Sequence, residues 1–170
     1  MQRHVLSVLV ENEPGVLSRV VGLFSGRGFN IDSLNVAPAM ENNVSHMTIT
    51  TYGDNMIMEQ IVKQLHKIVP VIKVMEFDGQ AAIEREMMFV KVQAEGAARG
   101  EILRTVEIFR CKVVDVSPSE MTIEATGDHE KLEAILGLLQ RFGIKEVART
   151  GSVAMKRSKK NFNETTRNQA

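Results

Sequence analysis

The chain has 170 residues, 44% of them hydrophobic and 25% charged, with 21 basic and 21 acidic side chains and no formal net charge. This is the composition of an ordinary globular protein, long enough for one large domain or two small ones, and its apolar runs fall far short of the roughly 18 residues that cross a bilayer. Residues 1–79 carry 6 basic against 8 acidic side chains, residues 80–150 carry 10 against 12, and residues 151–170 carry 5 against 1; the mildly acidic body argues against a nucleic-acid binder, which needs a basic face to neutralise phosphates.

In chain order, residues 5–11 are a nearly continuous apolar run suited to a central strand, broken by Glu13, Pro14 and Gly15. Val16, Leu17, Val20, Leu23 and Phe24 then recur at helical spacing, and Gly26-Arg27-Gly28 supplies the stop. Residues 30–38 alternate as a second strand, Glu41-Asn42-Asn43 turns the chain, and Met47, Ile49 and Thr51 alternate in a third strand that completes a hairpin. After Asp54, a helix cap, Ile57, Ile61, Leu65 and Ile68 mark a second apolar stripe, which Pro70 ends before a strand over residues 71–77.

The order β-α-β-β-α-β then begins again. Its predicted elements are a strand over 87–94, a helix with Ile102, Leu103, Val106 and Phe109, strands over 112–117 and 121–126, a helix with Leu132, Ile135, Leu139 and Phe142, and a strand over 144–149. The halves share this pattern but little residue identity. The expected fold class is therefore α+β, two tandem ferredoxin-like βαββαβ domains over 1–78 and 79–155 with a boundary near Gly79-Gln80, followed by a basic, mobile tail over 156–170. In each unit the other sheet face and the edge strands need cover, so edge-to-edge dimerisation of the first is a physical expectation. Residues 1–4 run straight into strand-like sequence without a secretory signal, and the lone Cys111 forms no internal disulfide, so a cytoplasmic location is expected.

Glu11-Asn12-Glu13-Pro14-Gly15-Val16-Leu17 is the most informative stretch, a strand end, a tight turn and a helix start. Free N–H groups there suit a ligand carboxylate, with Gly15 allowing close approach and Asn12 adding an amide. The same residues also read as a plain helix start, with Pro14 early in the helix and Gly15 relieving the turn.

Glu13-Pro14-Gly15-Val16-Leu17 followed by Gly28-Phe29-Asn30-Ile31 resembles the signature of ACT domains, the amino-acid-sensing modules of metabolic enzymes. The resemblance widens. Leu17-Ser18-Arg19-Val20-Val21-Gly22-Leu23-Phe24, Ser33-Leu34-Asn35-Val36-Ala37-Pro38, Glu107-Ile108-Phe109-Arg110 and Glu146-Val147-Ala148-Arg149-Thr150-Gly151 are similar to the small subunits of acetolactate synthase (acetohydroxyacid synthase), and the match covers residues 3 to about 155. What it implies is an ACT-domain homodimer binding valine, or another branched-chain end product, in two sites shared across the interface. In each, Asn12, Gly15, Val16 and Leu17 of one chain meet Asn30 and Ile31 of the other. It further implies a large catalytic partner using thiamine diphosphate, Mg²⁺ and FAD, which this chain activates and makes sensitive to valine in branched-chain amino acid biosynthesis. No cofactor is expected on this chain.

Rival readings find less support in the residues. His4, His46, His66 and His129 lack metal-ligand spacing, Glu84 and Glu86 flank Arg85 as charges at a strand start, and no catalytic residue is assigned. The strands over 5–11 and 46–51 lack the aromatics of an RNA-recognition module, and Gly26-Arg27-Gly28 follows a helix instead of leading into one, so it is no dinucleotide fingerprint. A stand-alone amino-acid sensor acting on another metabolic enzyme is the alternative, which the extended match disfavours.

Overall fold

The computed structural model describes residues 2–77 and 82–158. The first unit runs β1 (Gln2–Glu11), α1 (Val16–Ser25), β2 (Ser33–Pro38), β3 (Val44–Gly53), α2 (Asn55–Leu65) and β4 (Val71–Phe77); the second runs β5 (Ala82–Gln93), α3 (Ala98–Ile108), β6 (Lys112–Val116), β7 (Glu120–Gly127), α4 (His129–Leu139) and β8 (Ile144–Arg149), with β9 (Val153–Lys156) after it. The sheets have the strand orders β2-β3-β1-β4 and β6-β7-β5-β8, one antiparallel topology used twice.

Each unit buries one sheet face under its two helices. Leu6 and Val8 of β1 and Met47 and Ile49 of β3 meet Val20 and Phe24 of α1 and Ile61 of α2. Met88, Val90 and Val92 of β5 meet Ile102 of α3 and Leu132 of α4 in the second core. Each such side chain, fully withdrawn from water, contributes about 1.5–3 kcal/mol before the entropic cost of ordering it. Helices α2 and α4 start where the sequence predicts: Ile57 N–H donates to Asp54 Oδ1 at 2.8 Å and Lys131 N–H donates to Asp128 Oδ1 at 2.9 Å.

The continuous apolar run of β1 has a cause outside its own unit. Val5, Leu6, Ser7, Val8 and Val10 are all buried, because the second face of the sheet is covered as well. The cover is a two-stranded ribbon in which the first residues of β5, Ala82 to Arg85, pair antiparallel with β9. Ala82 and Ala154 pack on Val5 and Phe77, and the Ala154 N–H donates to Thr48 Oγ1 at 3.3 Å. In the second sheet the corresponding face is open: Phe89 is 38% exposed, and β5 alternates buried and accessible positions from Glu86 onward.

This ribbon corrects the sequence reading, which starts the fifth strand at Met87 and begins a tail at 156. The four-residue β9 carries too little periodicity to stand out, and β5 extends five residues earlier because its start serves a different sheet. Strand β2 begins at Ser33 rather than 30, Met58 replaces Ile57 as a fully buried residue of α2, and Phe142 lies in a single 3-10 turn after α4. The expected boundary at Gly79-Gln80 and the tail beyond Ser158 lie outside the described residues. No helix among the described residues is long and apolar enough to cross a membrane.

The second unit is tied together by one buried carboxylate. Glu86, 6% exposed, accepts from Arg149 Nε at 2.8 Å and Nη2 at 2.9 Å, while Nη1 donates to Glu133 of α4 at 2.7 Å. Removing the guanidinium strands that carboxylate. Arg149→Met is therefore expected to destabilise the chain by about 3 kcal/mol in urea unfolding, whereas Arg149→Met with Glu86→Leu recovers most of the loss.

Candidate functional site

The six residues singled out in the sequence fall into two groups at opposite ends of the first sheet. At one end β1 is fastened by Glu11 N–H to the Pro70 carbonyl (2.9 Å) and by Asn12 N–H to the Asn43 carbonyl (2.6 Å), and the chain then turns into α1. Gly15 is the N-cap, at φ 86° in the left-handed region, and no side chain caps the helix. The N–H groups of Leu17 and Ser18 meet no acceptor among the described residues, in contrast to the capped starts of α2 and α4. An uncapped, exposed helix start is electropositive and ready for an anion. Val16, 3% exposed, spends its side chain on the core and leaves only backbone outside, while Leu17 is 42% exposed and offers apolar surface.

Asn30 and Ile31 lie at the other end. The Asn30 carbonyl accepts from Thr51 Oγ1 at 2.6 Å and the Asp32 N–H donates to the Thr50 carbonyl at 2.9 Å, so this loop is stitched to β3. Ile31 is half-buried against the core and Asn30 is exposed. In the β1–β3 register Glu11 faces Val44 and Val5 faces Thr50. Six strand residues separate the groups, about 20 Å. One protomer therefore does not bring the six together.

The second unit treats the equivalent helix start differently. Gly96, at φ 54°, precedes α3, which also lacks a side-chain cap. There the Arg99 guanidinium reaches back to the carbonyls of Ala94 (3.1 Å), Pro118 (3.2 Å) and Ser117, occupying the loop with the chain's own side chain.

Two concavities carry residues that sequence reasoning missed, because only the tertiary fold assembles them. One, of about 330 Å³, lies between the units and is lined by Arg3, Asp32, Ser33, Glu86, His129 and Arg149. Beside it Arg3 pairs with Glu84 and donates to Ser152 Oγ. Burial pushes the Glu84 carboxyl up, but hydrogen bonds from Arg3 and Ser152 and the guanidinium's charge outweigh it, and Glu84 titrates below its ordinary 4.5. The other, of about 440 Å³, is an apolar groove on the back of the first sheet with Leu9, Met75, Phe77 and Met155 in its wall and Ser7 and His46 at its edge. Ser7 Oγ lies 2.7 Å from His46 Nε2, and burial pulls the imidazole below its ordinary 6.5, so it is neutral at pH 7. Ser7 is 1% exposed and no carboxylate among the described residues orients the ring, which makes this a packing pair and not a nucleophile with its base. No cluster of three His, Cys, Asp or Glu suited to a metal ion occurs among the described residues.

Comparison with known proteins covers both units. Residues 6–73 match the model of the AHAS small subunit-like ACT domain, and residues 85–158 match that of the small subunit of acetolactate synthase. The chain is 50% identical over 155 residues to a probable acetolactate synthase small subunit of Methanothermobacter thermautotrophicus, covering 91% of this chain and 92% of the relative. It is 51% identical over 159 residues to the acetolactate synthase isozyme 3 small subunit of Escherichia coli, covering 93% and 98%. The crystal structure of the acetolactate synthase small subunit from Thermotoga maritima superposes with a TM-score of 0.84 at 42% identity, over 94% of this chain and 99% of that one.

Two outcomes follow from the geometry. A Cβ at Gly15 meets nothing within 4 Å, so Gly15→Ala costs only backbone strain, about 1–2 kcal/mol in urea unfolding. Because the Glu84 carboxyl is depressed on folding, its stabilisation is complete above its ordinary 4.5 and is lost as pH falls through the lower folded value. Titrating the chain against Glu84→Gln from pH 7 to pH 3 is expected to show the stability gap narrowing only below about pH 4.5.

Proposed function

The chain belongs to the acetolactate synthase small-subunit family, and from that premise we propose that it is the non-catalytic regulatory subunit of this enzyme, a homodimer that binds valine and passes its occupancy to a large catalytic subunit. The observation carrying the ligand half of the proposal is the separation of two half-sites at the ends of one edge strand. Strand β2 borders the first sheet, and its outer backbone is unpaired among the described residues. Antiparallel pairing with β2 of a second copy, about a two-fold axis between the two strands, sets the Ser33 end of one against the Pro38 end of the other. Pro38 pairs with Ser45, next to the Asn12 end. Each Asn12–Leu17 group is thereby brought to a partner's Asn30 and Ile31, twice per dimer.

In such a site the free N–H groups of Leu17 and Ser18 take the carboxylate of valine, and Gly15 keeps the approach open. The Asn12 and Asn30 groups take the ammonium, and Leu17 with the partner's Ile31 encloses the isopropyl group. One methylene in an apolar pocket is worth about 1–3 kcal/mol, so leucine and isoleucine bind the same place more weakly.

The catalytic partner carries thiamine diphosphate, Mg²⁺ and FAD and condenses pyruvate with a second 2-oxoacid in the branched-chain amino acid pathway, in the cytoplasm. Docking of this chain raises that activity, and valine favours a docked state of lower activity. The ligand must then bind the two states unequally, with a coupling of about 1–3 kcal/mol.

Thermal unfolding of the purified chain with each of the twenty amino acids, paired with reconstitution of the partner, tests this reading. Valine is expected to stabilise most, by about 2.7 kcal/mol at a hundred times its dissociation constant, and Asn12→Ala to abolish both that shift and the inhibition while activation persists. Absence of stabilisation by every amino acid, with valine inhibition also absent in the reconstituted enzyme, would contradict it.

A further inference from the structure

The fold physically links the ligand loop to the second unit through one short strap. Asn30 to Asp32 is stitched to Thr50 and Thr51 of β3, and Thr50 Oγ1 lies 2.7 Å from Ser33 Oγ. Ser33 Oγ in turn accepts from the Ser152 N–H at 3.5 Å. Gly151 lies against the same spot: it sits at φ 76°, and a Cβ there would be 3.4 Å from Ser33 Cβ and 3.5 Å from the Leu34 carbonyl. Three residues after Gly151, the buried Ala154 N–H donates to Thr48 Oγ1.

The other end of the strap belongs to the second unit. Thr150 N–H donates to the Met87 carbonyl at 3.1 Å, and Met87 N–H donates to Thr150 Oγ1 at 3.1 Å. Arg149, immediately before, is clamped to Glu86 of β5 and Glu133 of α4. Residues 30–32 thus stand one hydroxyl pair away from a segment hydrogen-bonded to β5 and α4 and continuous with β8.

We propose that the strap Gly151–Ala154 is the relay by which the second unit reads occupancy of the Asn30–Ile31 half-site; this rests on the valine reading above. Its polar contacts with the first unit are backbone N–H groups on the hydroxyls of Ser33 and Thr48 and the Arg3 guanidinium on Ser152 Oγ, while Gly151 is seated on β2 and Ala154 packs on Val5 and Phe77. None of these atoms belongs to the proposed ligand contacts. Loosening the strap should separate ligand binding from its consequence.

The test uses the full chain reconstituted with its catalytic partner. Thr48→Val keeps the shape of the side chain and removes the acceptor for Ala154, Thr48→Ser restores a hydroxyl, and Gly151→Ala strains the strap's backbone at φ 76° while its Cβ makes only ordinary contact with Ser33. Valine affinity is measured by calorimetry on the free chain and on the holoenzyme, together with the depth of inhibition. Linkage requires partner docking and valine to alter each other's affinity by one factor, typically about 5- to 150-fold, and the relay predicts collapse of that ratio to within about twofold in Thr48→Val and Gly151→Ala, with inhibition lost, activation kept and valine still bound by the free chain. Thr48→Ser is expected to restore both ratio and inhibition. Full inhibition with an unchanged ratio in Thr48→Val and Gly151→Ala would overturn the relay and leave the valine site standing; a parent chain that binds no valine, free or in the holoenzyme, would overturn both.

Discussion

A four-stranded antiparallel sheet with helices on one side has a second face to hide, and β1 of the first unit turns Val5, Ser7 and Leu9 toward that face. Water is kept from much of it by the ribbon of β5 and β9, which places Ala82 and Ala154 on Val5 and Phe77. Strand β5 thus serves two sheets, its first residues covering the neighbouring unit and its later ones forming the centre of its own. The back-face core, the Arg3–Glu84 pair and the hydroxyl contacts to Ser152 and Ala154 all depend on that shared strand. Two copies of one topology become one connected body.

The fold was largely legible in the sequence because helical and strand periods differ and each unit repeats the same order of them. Asp54 marks the start of α2 in the sequence itself, and the Pro70 stop stands just before β4 as expected. What the residues could not announce was cover supplied from far along the chain. The nearly continuous apolar run of β1 fits a strand covered on both sides, yet the ribbon covering its second face comes from the start of β5 and from a four-residue strand more than a hundred residues beyond β1. Periodicity cannot detect an element that short.

The proposed ligand residues rest on different grounds. Gly15 at positive φ and the uncapped start of α1 fit the turn chemistry of Glu13-Pro14-Gly15, whereas the grouping of Asn30 and Ile31 with them came from family resemblance alone. About 20 Å of β3 keeps the two groups apart in one chain, and under the proposed pairing of edge strands two chains would join them. Arg99 explains why the second unit, built on the same plan, presents no equivalent opening. The interdomain concavity was invisible in the sequence because Arg3, Asp32, Glu86 and Arg149 are brought together by tertiary packing alone.

The central claim, that each ligand site is shared between two chains, is tested most directly by mixing two defective ones. Asn12→Ala and Asn30→Ala homodimers should each bind valine poorly. Co-expressed with different affinity tags and isolated as the mixed dimer, they leave one site with both changes and one with neither. The account predicts that the mixed dimer regains parental valine affinity at one ligand per dimer in calorimetry. No recovery of binding in the mixed dimer, with each parent defective, would contradict a shared site and return both asparagines to a pocket within a single chain.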